Sequence, residues 1–220
     1  FRDIVHQYCK GHPWARFGID LCIGSEADQP VTQRQMMFAS FYLMDAFDGA
    51  QIFTDTYSRP LVKANELIID VTPEPDESDW MPTPLQCSLL LFILTAAATI
   101  YGIRRRTGLW GIDLFLFGIA GIVGCVLAFL ALFSQHPAVS SNFLLLVFHP
   151  GQLLFLPYII YCVRKGKKCW YLTLNLAVLT LFIVLFPVIP QNFDLAVLPL
   201  ALCLLIRSAS NLILTYKKAK

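Results

Sequence analysis

The fold is decided by residues 170–189, which read WYLTLNLAVLTLFIVLFPVI. This stretch contains no charged residue, and nearly all of its side chains are those of Leu, Val, Ile, Phe and Thr. A helix needs roughly 20 predominantly apolar residues to cross the hydrocarbon core of a bilayer. The stretch is therefore predicted to be a membrane-spanning helix.

Four further apolar stretches lie on either side of it, which predicts a membrane all-α fold with a bundle of five transmembrane helices. The last stretch is the least regular because it contains Arg207 and several polar residues. The predicted spans are residues 85–103, 109–133, 142–163, 170–189 and 193–216.

Basic residues occupy only alternate connections between these spans. The connections 134–141 and 190–191 contain no Lys or Arg. Short loops rich in Lys and Arg mark the cytoplasmic side, so residues 1–81 are predicted to lie outside and the C-terminus inside. The basic clusters are Arg104, Arg105 and Arg106, then Arg164, Lys165, Lys167 and Lys168, and finally Lys217, Lys218 and Lys220. An aromatic belt at the predicted interfaces agrees with this topology, and consists of Trp80, Trp110, Trp170 and Tyr216.

Net charge divides the chain at the same place. Residues 1–81 contain 6 Lys and Arg against 13 Asp and Glu, a net charge of −7, whereas the remainder carries +9. We predict a periplasmic portion at 1–71, a Pro-rich acidic linker at 72–83 and a five-span domain at 84–220. An exported N-terminal part needs an export signal and none precedes Phe1, so we expect the sequence to belong to a longer protein.

The exported residues are predicted to form helices and short strands. A helix over 1–10 is expected to stop at Gly11-His12-Pro13, and a loop through Asp20 and Pro30 follows. Thr32 and Gln35 resemble a capping box that opens a second helix. Strands are predicted at 51–54 and 66–71, joined through 58–60. So small a core is typical of the tail of a larger α+β domain.

Four polar residues are candidates for a substrate or lipid pathway. His136 lies in an external loop, and Asn142 begins the third predicted span. His149 and Gln152 lie inside that span on either side of Pro150, where we expect a break in the helix. Polar side chains within a membrane favour a functional interpretation. An interhelical hydrogen bond worth about 1 kcal/mol or less explains them equally well, and both interpretations stay open.

Asp113 and Arg207 are the only charged residues clearly inside the predicted spans. Counted from the cytoplasmic ends of their helices, they lie at depths of about 7 and 14 Å at 1.5 Å per residue. An arginine side chain can extend along the membrane normal to bridge the difference. We predict that the two residues form a structural pair that joins the second span to the fifth.

Other classes of chemistry find no support in the sequence. It contains no nucleotide-binding loop, zinc-ligand spacing or Gly-x-Ser-x-Gly motif. For this reason no metal or cofactor is expected. The basic runs lie beside spans, where membrane topology explains them, so no nucleic-acid partner is expected. Cys9 and His12 lack an orienting third group, which disfavours a nucleophile and base pair. Cys9 and Cys22 both lie in the part predicted to be exported, and whether they form a disulfide is left open.

The exported part begins with FRDIVHQY at 1–8, continues with GHPWARFGIDL at 11–21 and Ala27-Asp28, and later contains Met37-Phe38, Tyr42-Leu43 and Ala46-Phe47. These phrases resemble the end of the Lnb N-terminal periplasmic domain of Bacteroidota. The stretch 142–150, together with His136-Pro137, resembles the multi-helix membrane domain that follows it. The resemblance covers nearly the whole chain.

This resemblance implies a lipoprotein N-acyltransferase of the bacterial inner membrane, whose substrates are phospholipids and lipoproteins. It implies that the exported residues end a papain-like domain, in which a thiolate accepts the acyl group before the lipoprotein amine attacks. The family pattern is an early Gly-His followed by strand residues and a later Asn-Cys, and neither is present here, because Gly11-His12 lies after the place where the nucleophile should be. No catalytic residue is therefore assigned, and the Cys and His are expected before Phe1. The alternatives are a non-catalytic membrane-anchored periplasmic protein and a small transporter.

Overall fold

The computed structural model describes residues 1–69 and 81–218, with side chains to Thr215. It is mostly helical and contains two compact units, residues 1–11 with 29–81, and residues 12–28 with 82–220. The predicted linker as far as Trp80, residues 70–71 of the predicted second strand and the side chain of Tyr216 lie outside the described residues.

Twelve regular elements follow one another along the described chain, besides three short 3₁₀ turns. They are α1 (Arg2–Tyr8), α2 (Pro13–Cys22), α3 (Gln33–Met36), α4 (Ser40–Asp48), β1 (Gln51–Phe53), β2 (Ser58–Pro60), α5 (Pro84–Arg105), α6 (Trp110–Phe133), α7 (Pro150–Leu154), α8 (Leu156–Lys165), α9 (Trp170–Leu185) and α10 (Val197–Lys218). The 3₁₀ turns are Ser25–Asp28, Pro137–Val139 and Phe143–Leu146.

The first unit combines three short helices with a hairpin. The capping box of Thr32 and Gln35 is present, but α3 lasts only one turn before α4 begins. The predicted strand pairing is wrong, because β1 pairs with β2, the segment expected to be the connection. The hydroxyl of Thr54 donates to the Tyr57 carbonyl oxygen and closes a tight turn over residues 54–57, so the chain reverses directly after β1.

Residues 12–28 belong to the second unit and contain a helix that the sequence analysis predicted as loop. Pro13 was interpreted only as a stop for the preceding helix, yet it occupies the first turn of α2. Proline suits that position because its fixed φ fits a helix and its missing N–H is not needed there. Phe17 and Leu21, one turn apart on α2, pack against the core of this unit.

Three helices of the second unit are long and apolar enough to cross a bilayer, namely α5, α6 and α10. They contain 22, 24 and 22 residues, or at least about 33 Å at 1.5 Å per residue. Within the described residues, a fourth candidate span is obtained only if α8 and α9, which meet at 112°, are counted together as one broken span. The fourth predicted span, 170–189, is therefore not borne out as one long helix, since α9 ends at Leu185 after 16 residues and is too short to qualify alone. The first, second and fifth predicted spans thus correspond to continuous helices.

The third predicted span is not one helix. Residues 142–165 contain a 3₁₀ turn, the five-residue α7 and the ten-residue α8. Pro150 and Pro157 lie in the first turns of α7 and α8. A proline inside a helix removes a hydrogen bond and clashes with the preceding turn, so each proline prevents one continuous helix here. From the sequence, only one break in this helix was expected, at Pro150, so the second break before α8 is a correction.

Helix α10 is the centre of the second unit. It packs along α5 and α9, while α6 packs against α7 and α8. Helices α5 and α6 make few direct contacts with each other, although they are adjacent in sequence. The hydrophobic core lies where α6, α9 and α10 meet, and includes Phe117, Leu179 and Leu204.

Candidate functional site

Asn142 fastens α2 to the loop that follows α6. Its amide nitrogen donates to the Leu21 carbonyl oxygen at 2.7 Å, and its amide oxygen accepts from the Leu144 N–H at 3.0 Å. Asn142 is 5% exposed, so each bond replaces one that water no longer supplies. This candidate pathway residue thus contacts the backbone of α2.

Gln191 completes the same attachment from the loop between α9 and α10. Its amide nitrogen donates to the Ile23 carbonyl oxygen at 3.1 Å and to Asn142 Oδ1 at 3.2 Å. Its amide oxygen accepts from the Phe143 N–H at 2.8 Å. Gln191 was not among the residues predicted from the sequence. Its amide side chain in a very short connection between two apolar spans could have indicated a buried hydrogen-bonding role.

Backbone bonds reinforce the attachment on the far side of Ile23. The Gly24 N–H donates to the Ala138 carbonyl oxygen at 2.8 Å, and the Ser25 N–H and hydroxyl both donate to the Ser141 carbonyl oxygen. Ser141 adopts a left-handed φ of 52°, a conformation that costs about 1–2 kcal/mol for such a residue. We define Asn142, Gln191, Gly24 and Ser25 with these contacts as the outer clamp.

Gly24 is required for the close approach within the outer clamp. A Cβ atom there would overlap the Ser140 carbonyl oxygen and would lie 3.0 Å from the Asn142 nitrogen. Beyond it, the Asp28 carboxylate accepts from the Asn192 N–H and side-chain amide at 3.0 and 2.9 Å. Residues 21–28 are therefore held along their length by the two loops.

His136 lies in the same loop but makes a different contribution. Its Nδ1 accepts from the Ala138 N–H at 3.2 Å and so caps the 3₁₀ turn Pro137–Val139. The side chain is exposed. His136 shapes the loop whose Ala138 carbonyl oxygen receives the Gly24 N–H.

His149 occupies the break between the 3₁₀ turn Phe143–Leu146 and α7. Its ring lies 6.1 Å from the ring of Tyr171, and its side chain neighbours Asn175, one turn further along α9. Asn175 in turn donates to the Ser208 hydroxyl of α10 at 3.0 Å. We call His149, Gln152, Tyr171, Asn175 and Ser208 the polar cluster.

Gln152 provides a hydrogen bond to a backbone carbonyl group that this break leaves without its helical partner. Its amide nitrogen donates to the Val147 carbonyl oxygen at 2.7 Å, which would have received a helical N–H had the helix continued. The Gln152 amide oxygen and the Tyr171 hydroxyl are buried and have no hydrogen-bond partner within the described part of the chain. The Asn175 amide oxygen is a third such atom, so a polar ligand or water that enters the polar cluster finds three unsatisfied groups there.

Asp113 and Arg207 are in direct contact. Arg207 Nε and Nη2 donate to the two carboxylate oxygens of Asp113 at 2.7 and 3.0 Å, a bidentate arrangement. Thr99 of α5 accepts from Arg207 Nη1, and Asn211 donates to Asp113 Oδ2. The carboxylate and guanidinium are 0% and 1% exposed, and the network joins α5, α6 and α10.

Cys9 and Cys22 were candidates for a disulfide, and both are free thiols in the structure. Burial raises the pKa of the Cys22 thiol above its ordinary value. A raised pKa lowers the thiolate fraction at neutral pH, and the thiolate is the nucleophilic form. Cys22 is therefore poorly suited to covalent catalysis.

The family model of the Lnb transmembrane domain matches residues 76–219. The chain belongs to this family. No curated protein and no solved structure matches it. The matched range of the Lnb transmembrane domain contains the polar cluster, the network of Asp113 and Arg207, and both loops of the outer clamp.

Residues 12–28 lie before the matched range, yet they fold with the Lnb transmembrane domain. The matched domain supplies the side chains of Asn142 and Gln191, whereas residues 21–24 supply backbone carbonyl groups and Gly24. The outer clamp is therefore a structural link between the Lnb membrane domain and the residues that precede it.

Proposed function

We propose that this chain forms the membrane part of a lipoprotein N-acyltransferase, which moves a fatty acyl chain from a phospholipid to the N-terminal amine of a lipoprotein. Membership of the Lnb family carries this proposal, together with the activity implied by the resemblance of residues 1–47 to the Lnb periplasmic domain. The exported residues are proposed to end a papain-like domain.

The proposed reaction has two steps. The thiol passes its proton to a base and attacks the ester carbonyl carbon of the phospholipid as a thiolate. The ester C–O bond breaks, a thioester forms, and the lysophospholipid leaves after its oxygen takes that proton from the base. The lipoprotein amine then attacks the thioester, forms an amide, loses a proton and regenerates the thiol. We assign the thiol to no residue of this chain, and the burial that raises the pKa of Cys22 argues against that residue.

The proposed task of the membrane domain is to keep this chemistry at the bilayer surface, because both substrates are membrane lipids. We propose five crossings of the bacterial inner membrane, with residues 142–165 as an interrupted third crossing and the C-terminus in the cytoplasm. Cation–π contacts support one interface at the basic end, since Arg105, Arg164 and Lys167 lie over the rings of Tyr101, Trp110 and Tyr161. The outer clamp would then fix α2 at the periplasmic surface.

We propose separate roles for the four candidate pathway residues. Asn142 positions α2, and His136 shapes the loop that receives it. His149 and Gln152 line a polar path through the third crossing, in keeping with the unpartnered oxygen of Gln152. Replacing Gln152 by Leu also removes the hydrogen bond to the Val147 carbonyl oxygen, so thermal stability should fall. If the path is used, N-acylation should be lost even at temperatures where the variant is fully folded, whereas N-acylation that persists there would favour a structural role.

Mass spectrometry of lipoprotein N-terminal peptides tests the proposed activity. Deletion of the gene that encodes this chain should convert N-acylated lipoproteins into forms with a free α-amine, and the intact gene should restore the amide-linked chain. Unchanged N-acylation after deletion would refute the proposal.

A second variant separates catalysis in the membrane from mere anchoring. Residues 84–220 are replaced by one unrelated spanning helix with the same N-out orientation. We expect N-acylation to be lost even when the exported part is present at normal abundance. Retained N-acylation would mean that the membrane domain is only an anchor.

A further inference from the structure

An apolar groove separates α5 from α6, where these helices make few direct contacts. Its main section has a volume of about 260 Å³. The walls are Leu91 of α5 with Phe115 and Val123 of α6, and the floor is Phe148 with Cys203 and Leu204 of α10. All of these side chains are apolar, so the main section offers no hydrogen bond to an occupant.

A second section prolongs the groove away from α2. It shares Leu91 and Phe115 with the main section and continues past Ala98 and Gly111. From Gly111 to Val123 the groove follows twelve residues of α6, a length of about 18 Å at 1.5 Å per residue. This exceeds half of a hydrocarbon core about 30 Å thick, so the shape suits an extended chain.

Helix α2 closes the other end of the groove. Phe17 and Leu21 line it there, and the outer clamp holds the carbonyl groups of Leu21 and Ile23. The groove therefore ends beneath the exported helix, at the level where a lipid chain gives way to its headgroup.

We propose that this groove binds one acyl chain of a glycerophospholipid. The surrounding medium of a membrane domain is lipid, and walls exposed on the outside of the unit, such as Phe115 at 57% and Ile119 at 47%, open the groove to that medium. The binding stands on this geometry alone. Its role as the acyl-donor site rests on the proposed function.

Arg16 favours a phospholipid over an uncharged lipid. It is the only Lys or Arg in residues 12–28, directly precedes Phe17, and its side chain is 53% exposed. Its Nε lies 3.8 Å from Asp20 Oδ2, longer than a hydrogen bond. The guanidinium thus keeps donors for a phosphate group, to which arginine binds in bidentate fashion.

Photocrosslinking tests the proposal on the full-length protein in nanodiscs of phosphatidylethanolamine and phosphatidylglycerol. The probe is phosphatidylethanolamine with a diazirine on one acyl chain, and labelled residues are located by mass spectrometry. Bulk lipid reaches exposed side chains such as Leu132 and Val184, whereas Cys203 and Leu204 are 1% and 2% exposed. We expect labels on Cys203 or Leu204 and on Phe148.

Two matched variants of α6 distinguish an inserted chain from surface lipid. Val123 lines the groove and is half-buried, whereas Val126 lies outside it and is 52% exposed. Val123→Trp should lower floor labelling at least fivefold, while Val126→Trp should leave it unchanged, at equal thermal stability. Absent floor labels, or equal floor labelling in both variants, would overturn the proposal.

A second probe distinguishes two sources of the same chemistry. A synthetic diacylglyceryl lipopeptide with the same diazirine should label the floor weakly and should not displace the phospholipid. Floor labelling by the lipopeptide alone would refute a phospholipid site. Neither probe requires acyl transfer, so floor labelling without N-acylation would leave the groove assigned and remove the proposed function.

Discussion

The bidentate pair of Asp113 and Arg207 shows what single residues contribute to this membrane domain. The sequence made the pairing predictable, because only two charged residues lay inside the predicted spans and their depths matched within the reach of arginine. Thr99 and Asn211 were not predictable as partners, because both are common residue types whose helical faces depend on how α5 and α10 rotate. In the complete network, the Nε, Nη1 and Nη2 atoms of Arg207 all donate hydrogen bonds, and both carboxylate oxygens of Asp113 accept them.

Removing one partner of this pair should destabilise the domain strongly. Asp113→Asn or Arg207→Gln alone leaves an uncompensated buried charge, with an expected loss of about 3–5 kcal/mol. The double variant removes both charges and should lose no more than either single variant. Thermal unfolding in nanodiscs measures this, with Arg164→Gln at an exposed position as the control. Additive losses in the double variant would show that the pair is not coupled.

Gly24 gives a prediction at the outer clamp with a control on the same segment. Gly24→Ala forces a Cβ against the Ser140 carbonyl oxygen, whereas nothing lies within 4 Å of a Cβ at Gly18. We expect Gly24→Ala to cost about 1–3 kcal/mol through overpacking and to speed hydrogen exchange of residues 12–28. Gly18→Ala should be neutral or slightly stabilising because alanine favours a helix interior. Equal exchange rates in the two variants would contradict the clamp.

At the scale of elements, residues 149–153 and α6 fit together through two glycines of α6. A Cβ at Gly121 would lie 2.5 Å from the Leu153 nitrogen, and one at Gly124 would lie 2.5 Å from the His149 backbone. Small residues allow such close contact between membrane helices. The sequence predicted the existence and boundaries of α5 and α6 from hydropathy, but hydropathy does not report whether an apolar stretch remains helical. That is why the break into α7 and α8 was only partly anticipated.

These contacts predict a position-dependent effect of one methyl group. Gly124→Ala should destabilise the domain by about 1–3 kcal/mol, because backbone atoms of His149 cannot move aside as a flexible side chain would. Gly111→Ala on the same helix meets nothing within 4 Å and should be tolerated. Unfolding temperatures of the two variants in the same lipid provide the comparison, and a tolerated Gly124→Ala would refute the close packing of α6 on residue 149.

At the scale of the whole molecule, the division of charge predicted an exported part and a membrane part, but not where they meet. Residues 13–22 were interpreted as loop because Gly11-His12-Pro13 is a strong stop signal and the residues that follow, as far as Pro30, are rich in Gly, Asp and Pro. What makes α2 part of the membrane unit is tertiary: the side chains of Asn142 and Gln191, more than 100 residues away in sequence, bind its C-terminal carbonyl groups. Local patterns contain no information on such a contact.

The most direct test of the account is the accessibility of single cysteines in a cysteine-free variant, expressed in spheroplasts. The substitutions are Asp55→Cys in the exported part, Gln135→Cys in the loop of the outer clamp, and Lys168→Cys in the basic loop, all at exposed positions. A membrane-impermeant maleimide should label the first two in intact spheroplasts and the third only after permeabilisation. Labelling of Lys168→Cys in intact spheroplasts, with protection of Gln135→Cys, would contradict the proposed orientation and with it the proposed acyl transfer at the periplasmic surface.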